Sequence, residues 1–349
     1  MDPPTGRIQP LTRRLVIVAL ALAALGLAAC GERTEPTAAP GQQHVTLLLD
    51  WLPNADHAPI YAAQKIGAFK RAGLDVQIQT PSDATSPLKL LAAGRVDLAI
   101  TYEPELLISR DKGQQLVAVG ALAQKPLSSI ISLRGKVKDP RDLAGKSVGI
   151  TGLPSDDAAL KAVLDHAGVP ANRVKTVNVG FNLVPSLLSK KVDAILGAYW
   201  NIEAVELARA HKAPSVIRID QAGVPTYNEL VFAARKDYLG EQGEVVRRFM
   251  QALSRGAQAM RNDPTVAVDA LVAANKDLKA DDQLAMVRKS MPVYFPPAGK
   301  PYGWMEPLEW QQYGDWMYKS KLIASPLNAG RALTNEFLPG QGLADSSSG

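Results

Sequence analysis

Leu47-Leu-Leu-Asp-Trp-Leu-Pro-Asn-Ala-Asp-His-Ala-Pro-Ile-Tyr-Ala-Ala-Gln-Lys65 decides how this chain is read. It opens as an apolar strand, stops at Asp50-Trp51, turns through Pro53-Asn54-Ala55-Asp56 and starts a helix. Asp56 suits the N-cap, and Pro59 falls in the first helical turn, where a missing N–H costs little. Gly67 suits the helix stop. A strand end meeting a helix start is where open α/β sheets bind ligands. Trp51, Asn54 and His57 are therefore expected at a binding mouth, an aromatic face beside hydrogen-bonding groups.

The alternation continues outward from this stretch. Leu74–Gln79, Val96–Thr101 and Leu116–Ala123 read as strands separated by short helices, which means βαβ units and a mainly parallel sheet. After Gly135–Pro140 the pattern starts afresh, with strands at Ser147–Thr151, Val174–Val179 and Val192–Ala198. Leu91-Ala-Ala-Gly-Arg-Val-Asp97 and Leu187-Leu-Ser-Lys-Lys-Val-Asp193 echo each other, each a helix end, a tight turn and the start of an apolar strand. Two similar α/β lobes facing each other account for the echo. Asn228–Lys236 reads as a strand returning to the first lobe, and the chain is then largely helical from Glu244. The expected boundaries are 44–134 for the first lobe, 135–229 for the second, 230–343 for the return and its helices, and 344–349 for a frayed tail. Two crossings between lobes make a hinged clamp. Trp304, Trp310 and Trp316 are expected to plug core gaps or lobe surfaces.

Composition limits the rest. Hydrophobic residues make up 46% of 349, enough for a sizeable core and about two domains. The formal charge is +5; Arg7, Arg13, Arg14 and Asp2 precede Cys30, so the remainder carries +3. That mild, dispersed charge argues against nucleic acid as a partner. Residues 1–29 read as a signal peptide: Arg13-Arg14, an apolar Leu15–Leu27, then Leu27-Ala-Ala-Cys30. Those last residues resemble a bacterial lipobox, which implies that Cys30 becomes a lipidated N-terminus holding the chain on a membrane. Residues 30–43 then form a flexible tether. A single cysteine leaves no internal disulfide and no Cys-rich metal site.

Five segments are expected to face the cleft: Asp50–Tyr61, Thr101–Leu107, Thr151–Asp157, Val179–Pro185 and Ala198–Glu206. None contains Lys or Arg, and together they hold many acids and aromatics. Sites for nitrate, sulfonate or phosphate normally supply an Arg clamp. This set favours a flat neutral or cationic ligand with N–H donors, although a helix N-terminus could still bind an anion. The candidate ligand-binding residues are Trp51, Asn54, His57, Tyr61, Tyr102, Phe181, Asn182, Tyr199, Trp200 and Glu203. Glu203 either takes two hydrogen bonds from an amidine-like edge or caps the next helix. His57 either meets ligand or is structural, and Phe181 is either rim or core. No nucleophile–base pair, metal-spaced cluster or phosphate loop is apparent, and no catalytic residue, cofactor or metal is assigned.

Asp50-Trp-Leu-Pro-Asn-Ala-Asp-His-Ala-Pro-Ile-Tyr61, Gly67-Ala-Phe-Lys-Arg-Ala-Gly-Leu-Asp-Val76, Gly180-Phe-Asn and Gly197-Ala-Tyr-Trp-Asn-Ile-Glu203 resemble motifs of the thiamine-pyrimidine-synthase-like periplasmic binding family. The resemblance runs over about residues 44–325. It implies a periplasmic-binding-protein-like type II fold, two α/β lobes with a hinge and a helical C-terminal region packed on the first. It further implies a monomeric, extracytoplasmic substrate-binding protein of an ABC importer. Its cargo would be a formylaminopyrimidine or hydroxymethylpyrimidine passed to a permease and ATPase. Trp51, Asn54, His57, Tyr199 and Glu203 become pocket residues, with Glu203 reading the aminopyrimidine edge. Riboflavin or another aromatic heterocycle is the alternative cargo, and an enzyme of the pyrimidine-synthase type is the alternative role. Eukaryotic relatives are enzymes that build the pyrimidine and carry a Cys-rich run; this chain lacks that run. Lys190 stands where the family's turn would suit Gly.

Overall fold

The computed structural model describes residues 41–341. The expected signal peptide, Cys30, most of the tether and the tail from Ala344 lie outside the described residues. Within them the alternation forms two five-stranded mixed sheets. The first is built from β1 (Gln43–Leu48), β2 (Leu74–Gln79), β3 (Leu98–Thr101), β4 (Leu116–Ala123) and a later strand. The second takes β5 (Ser128–Leu133), β6 (Ser147–Ile150), β7 (Lys175–Asn178), β8 (Ala194–Tyr199) and β9 (Pro214–Arg218). β10 (Leu230–Arg235) returns to the first, giving the orders β2-β1-β3-β10-β4 and β7-β6-β8-β5-β9.

The two orders correspond strand for strand. In each sheet three strands are parallel, and the fourth and fifth are joined by antiparallel pairing. The sequence echo has a structural counterpart: Asp97 accepts the Thr46 N–H at 2.8 Å, and Asp193 accepts the Ser147 N–H at 3.0 Å. The turns before those aspartates take positive φ, at Gly94 (69°) and Lys190 (63°). Glycine adopts that region freely and lysine does not.

Two expectations change. The sheets are mixed, because β10 and β5 each enter as a returning antiparallel strand. β5 also belongs to the second sheet, pairing with β8 and β9, so the first crossing lies at 124–127 and not at 134/135. Ser-Ser-Ile-Ile-Ser-Leu is buried along nearly its whole length, and such a strand carries no local mark of which sheet it joins. The second crossing ends at Leu230, where β10 begins.

The helices between strands are α1 (Ala58–Lys65), α2 (Ala68–Arg71), α3 (Ser86–Ala92), α4 (Glu103–Asp111), α5 (Asp156–His166), α6 (Leu183–Leu188) and α7 (Glu203–Arg209). After β10 come α8 (Lys236–Asn262), α9 (Thr265–Ala274), α10 (Ala280–Tyr294), α11 (Pro307–Lys319) and α12 (Ala329–Ala332). α8 packs on α1 and α2 of the first lobe. At Gly256 a Cβ would lie 2.5 Å from Pro59 O and from Ala63 Cβ, so only glycine permits this approach. α11 anchors the hinge, because Trp310 is fully buried and donates Nε1–H to Asn228 Oδ1 at 2.7 Å. Among the described residues no helix is long and apolar enough to cross a membrane.

Candidate functional site

The site lies between the lobes where the loops after β1, β3, β6 and β8 converge with the two crossings. Its lining includes Asp50, Trp51, Asn54, Asp56, His57, Tyr102, Thr151, Asp156, Tyr199, Glu203, Tyr227 and Glu229. The lining contains five carboxyl groups and neither Lys nor Arg.

The loop after β1 is fastened by its own side chains. Asn54, not Asp56, is the N-cap: its side chain accepts the Asp56 N–H at 2.8 Å and begins the 3-10 turn Ala55–His57. The Asn54 N–H in turn donates to His57 Nδ1 at 3.2 Å. That nitrogen must therefore hold its lone pair, and Nε2–H donates to Asp50 Oδ1 at 2.9 Å. Tyr102 donates its hydroxyl to Asp50 Oδ2, also at 2.9 Å. Both nitrogens of the fully buried His57 are committed. Its geometry is that of a strut between loop backbone and Asp50, with no ring nitrogen left for a ligand.

The loop after β6 is fastened through its backbone. Asp156 Oδ2 accepts the Gly152 N–H at 2.8 Å, the Leu153 N–H at 3.0 Å and the Thr151 hydroxyl at 2.8 Å. The Ser155 N–H is taken by Glu105 Oε1, reaching from α4 of the other lobe at 3.0 Å. With Pro154 lacking an N–H and the Asp156 N–H bonded to Leu153 O, every backbone N–H from 152 to 156 is occupied. The loop N–H groups ahead of α5, which could have held an anion, are filled by the protein's own acids.

Glu203 and Glu229 repeat the device. Glu203 Oε2 accepts the Tyr199 N–H at 2.6 Å, which closes the turn between β8 and α7 without capping a helix N–H. Glu229 opens β10 and draws the two crossings together: Oε2 takes the Leu127 and Ser128 N–H groups at 2.6 and 3.0 Å and the Tyr227 hydroxyl at 3.0 Å. The Tyr199 hydroxyl reaches Oε1 from the second lobe at 3.3 Å. Burial pushes Glu203, Glu229 and Glu105 up to about 7 and Asp156 to about 6, against the opposing pull of these N–H groups. Burial also raises the Tyr102 and Tyr199 hydroxyls, which therefore stay protonated donors.

Of the sequence candidates, Trp51, Asn54, His57, Tyr102, Tyr199 and Glu203 line the cavity. Tyr61 does not: it is buried among Ala58, Ile202 and Val287, and burial lifts its hydroxyl to about 12. Val179–Pro185 contributes nothing to the lining. Phe181 instead meets the Trp51 ring across the lobes at 4.1 Å between centroids, and Asn182 is an exposed residue at the start of α6. Trp200 turns away, donating Nε1–H to Pro126 O at 3.1 Å beneath the Arg218 guanidinium. Asp56, Asp156, Tyr227, Glu229 and Trp316 join the lining without having been candidates. The Tyr227-Asn-Glu229 run, polar and aromatic at the head of a strand like Tyr102 and Tyr199, was a usable signal. Among the described residues no three His, Cys, Asp or Glu side chains form a metal-ligand set.

The profile of the NMT1/THI5-like family matches residues 54–267. A formylaminopyrimidine-binding protein of Halalkalibacterium halodurans is 32% identical over 311 residues, covering 86% of this chain and 94% of that protein. The chain belongs to the NMT1/THI5-like family. A 4-amino-5-hydroxymethyl-2-methylpyrimidine phosphate synthase of Legionella pneumophila is 25% identical, covering 87% of this chain and 95% of that one. Among solved structures, the alkanesulfonate-binding protein of Xanthomonas axonopodis pv. citri superposes with a TM-score of 0.67 at 15% identity, covering 85% of this chain and 99% of that one. The fold is that of the periplasmic binding proteins, two α/β lobes about a hinge.

Proposed function

We propose that this family member is the binding component of an ABC importer, taking an aminopyrimidine precursor of thiamine between its lobes. The observation that carries the reading is the acid-lined, cation-free cavity whose loop N–H groups are already occupied by carboxylates. An oxyanion would meet acids and find no free backbone N–H on the loop after β6, whereas a flat base with N–H donors meets acceptors. Trp51 and Tyr199 supply aromatic faces, and the Glu203 carboxyl reads the exocyclic amine. Tyr102 and His57 hold Asp50 in place. The name borne by the Halalkalibacterium relative supports a formylaminopyrimidine-type cargo; hydroxymethylpyrimidine is the near variant. Lobe closure over the ligand, release to a permease and ATPase pair, and an extracytoplasmic position held by a lipidated Cys30 complete the proposal. The protein itself is assigned no catalysis.

Calorimetry with aminopyrimidines, riboflavin, an alkanesulfonate and nitrate tests it. Only the aminopyrimidines should bind, and Glu203→Gln should weaken them about 10- to 100-fold, because a donor then faces a donor. Sulfonate or riboflavin as the preferred ligand overturns the reading. The synthase name of the Legionella relative sets a second arm. Incubation with pyridoxal phosphate and iron should produce neither Schiff-base absorbance nor loss of a histidine.

A further inference from the structure

Among the described residues, Asp56 is the cavity carboxyl whose hydrogen bonds leave an oxygen buried and bare. Ser290 Oγ–H donates to Met286 O at 2.8 Å, so Oγ must accept, and it does so from Asn201 Nδ2 at 2.7 Å. The same Nδ2 donates to Asp56 Oδ1 at 2.6 Å. This directional chain fixes the Asn201 amide and joins the first-lobe loop to the second lobe and to α10. It consumes Oδ1 alone. Asp56 is 1% exposed, lines the cavity, and its Oδ2 has no partner among the described residues.

We propose that Asp56 is a second specificity residue: its free Oδ2 accepts an N–H donor on the side arm of the bound heterocycle, while Oδ1, through Asn201, ties that donor to the second lobe. The proposal rests on the aminopyrimidine reading above and adds the group that reads the substituent beyond the ring. Asp56 faces Asp50 on its own loop, Tyr199 at the end of β8, Glu203 at the head of α7, Glu229 at the head of β10 and Tyr294 on α10. No cation stands among them. Burial, then these acids, raise the Asp56 carboxyl well above its ordinary value, against the pull of Asn201. That burial favours the protonated carboxyl, and an ammonium on the ligand's side arm favours the ionised one, so binding such a cation should release protons.

Two probes isolate the step, a 4-aminopyrimidine bearing a 5-aminomethyl group and the same ring bearing 5-methyl. The parent protein should prefer the aminomethyl compound by about 10- to 100-fold, the usual value of a charge-assisted hydrogen bond in a closed site. Asp56→Asn should reduce that ratio to within about 3-fold of unity. The parent gives an independent readout: calorimetry at pH 5, in buffers of different ionisation enthalpy, should show about one more proton released with the aminomethyl probe. An unchanged ratio in the variant, no preference in the parent, or equal proton release overturns the role of Asp56. If neither pyrimidine binds the parent, the aminopyrimidine reading itself has failed.

Discussion

The loop after β1 and the loop after β6 hold corresponding places in the two lobes, yet they are fastened differently. Asp50 is gripped by side chains, His57 and Tyr102, and the neighbouring Asp56 keeps an oxygen free. Asp156 is gripped by backbone, and with Glu105 it occupies the N–H groups of Gly152, Leu153 and Ser155 just ahead of α5. The first arrangement presents acceptors to the cavity; the second withdraws donors from it. A fold whose helix N-termini suit anions thus becomes a site for N–H-bearing ligands without a change of architecture.

The sharpest way to break this contrast is Asp156→Ala. Two half-buried N–H groups and a buried hydroxyl lose their acceptor, which should cost about 2 to 4 kcal/mol of stability. Millimolar sulfate should then raise the melting temperature of the variant, by filling the vacated nest, and leave the parent unchanged. Asp50→Ala, which frees side chains and no such nest, should gain nothing from sulfate. Protection of the parent by sulfate would show that its loop donors are open after all.

A smaller effect comes from pH. Glu229 has an ordinary value of 4.5 and is lifted to about 7 in the fold. The folded state binds this proton more tightly, so the stabilisation is full below 4.5 and is lost as pH rises through 7. For a carboxyl this buried the loss is on the order of 3 kcal/mol. Melting curves between pH 5 and pH 8 should therefore fall more steeply in the parent than in Glu229→Gln. Equal slopes would mean that Glu229 titrates normally, and that the hinge N–H groups, not burial, dominate it.

The smallest effect compares the paired turns. Lys190→Gly should stabilise the second lobe by about 0.5 to 1 kcal/mol, because lysine at φ 63° is strained where Gly94 is not. A loss of stability on chemical denaturation would mean that the lysine side chain contributes more than its backbone costs.

Much of this was legible from neighbours along the chain. The strand leading to Asp50, the helix Ala58–Lys65, the repeated turn before Asp97 and Asp193, and cleft loops without Lys or Arg are all written in local periodicity and composition. So is the family, whose motifs are short contiguous runs. Tertiary structure alone decided that Ser128–Leu133 belongs to the second sheet and that Glu229 closes the hinge. It also decided that His57 is spent on Asp50 and Asn54, and that Asp56, first read as an N-cap, carries the unpaired oxygen. The reason is distance along the chain. Asp56 meets Asn201 across 145 residues, and Glu229 meets Leu127 across 102. A carboxyl's chemistry depends on which donors reach it, and a sequence records that a donor exists without recording where folding brings it.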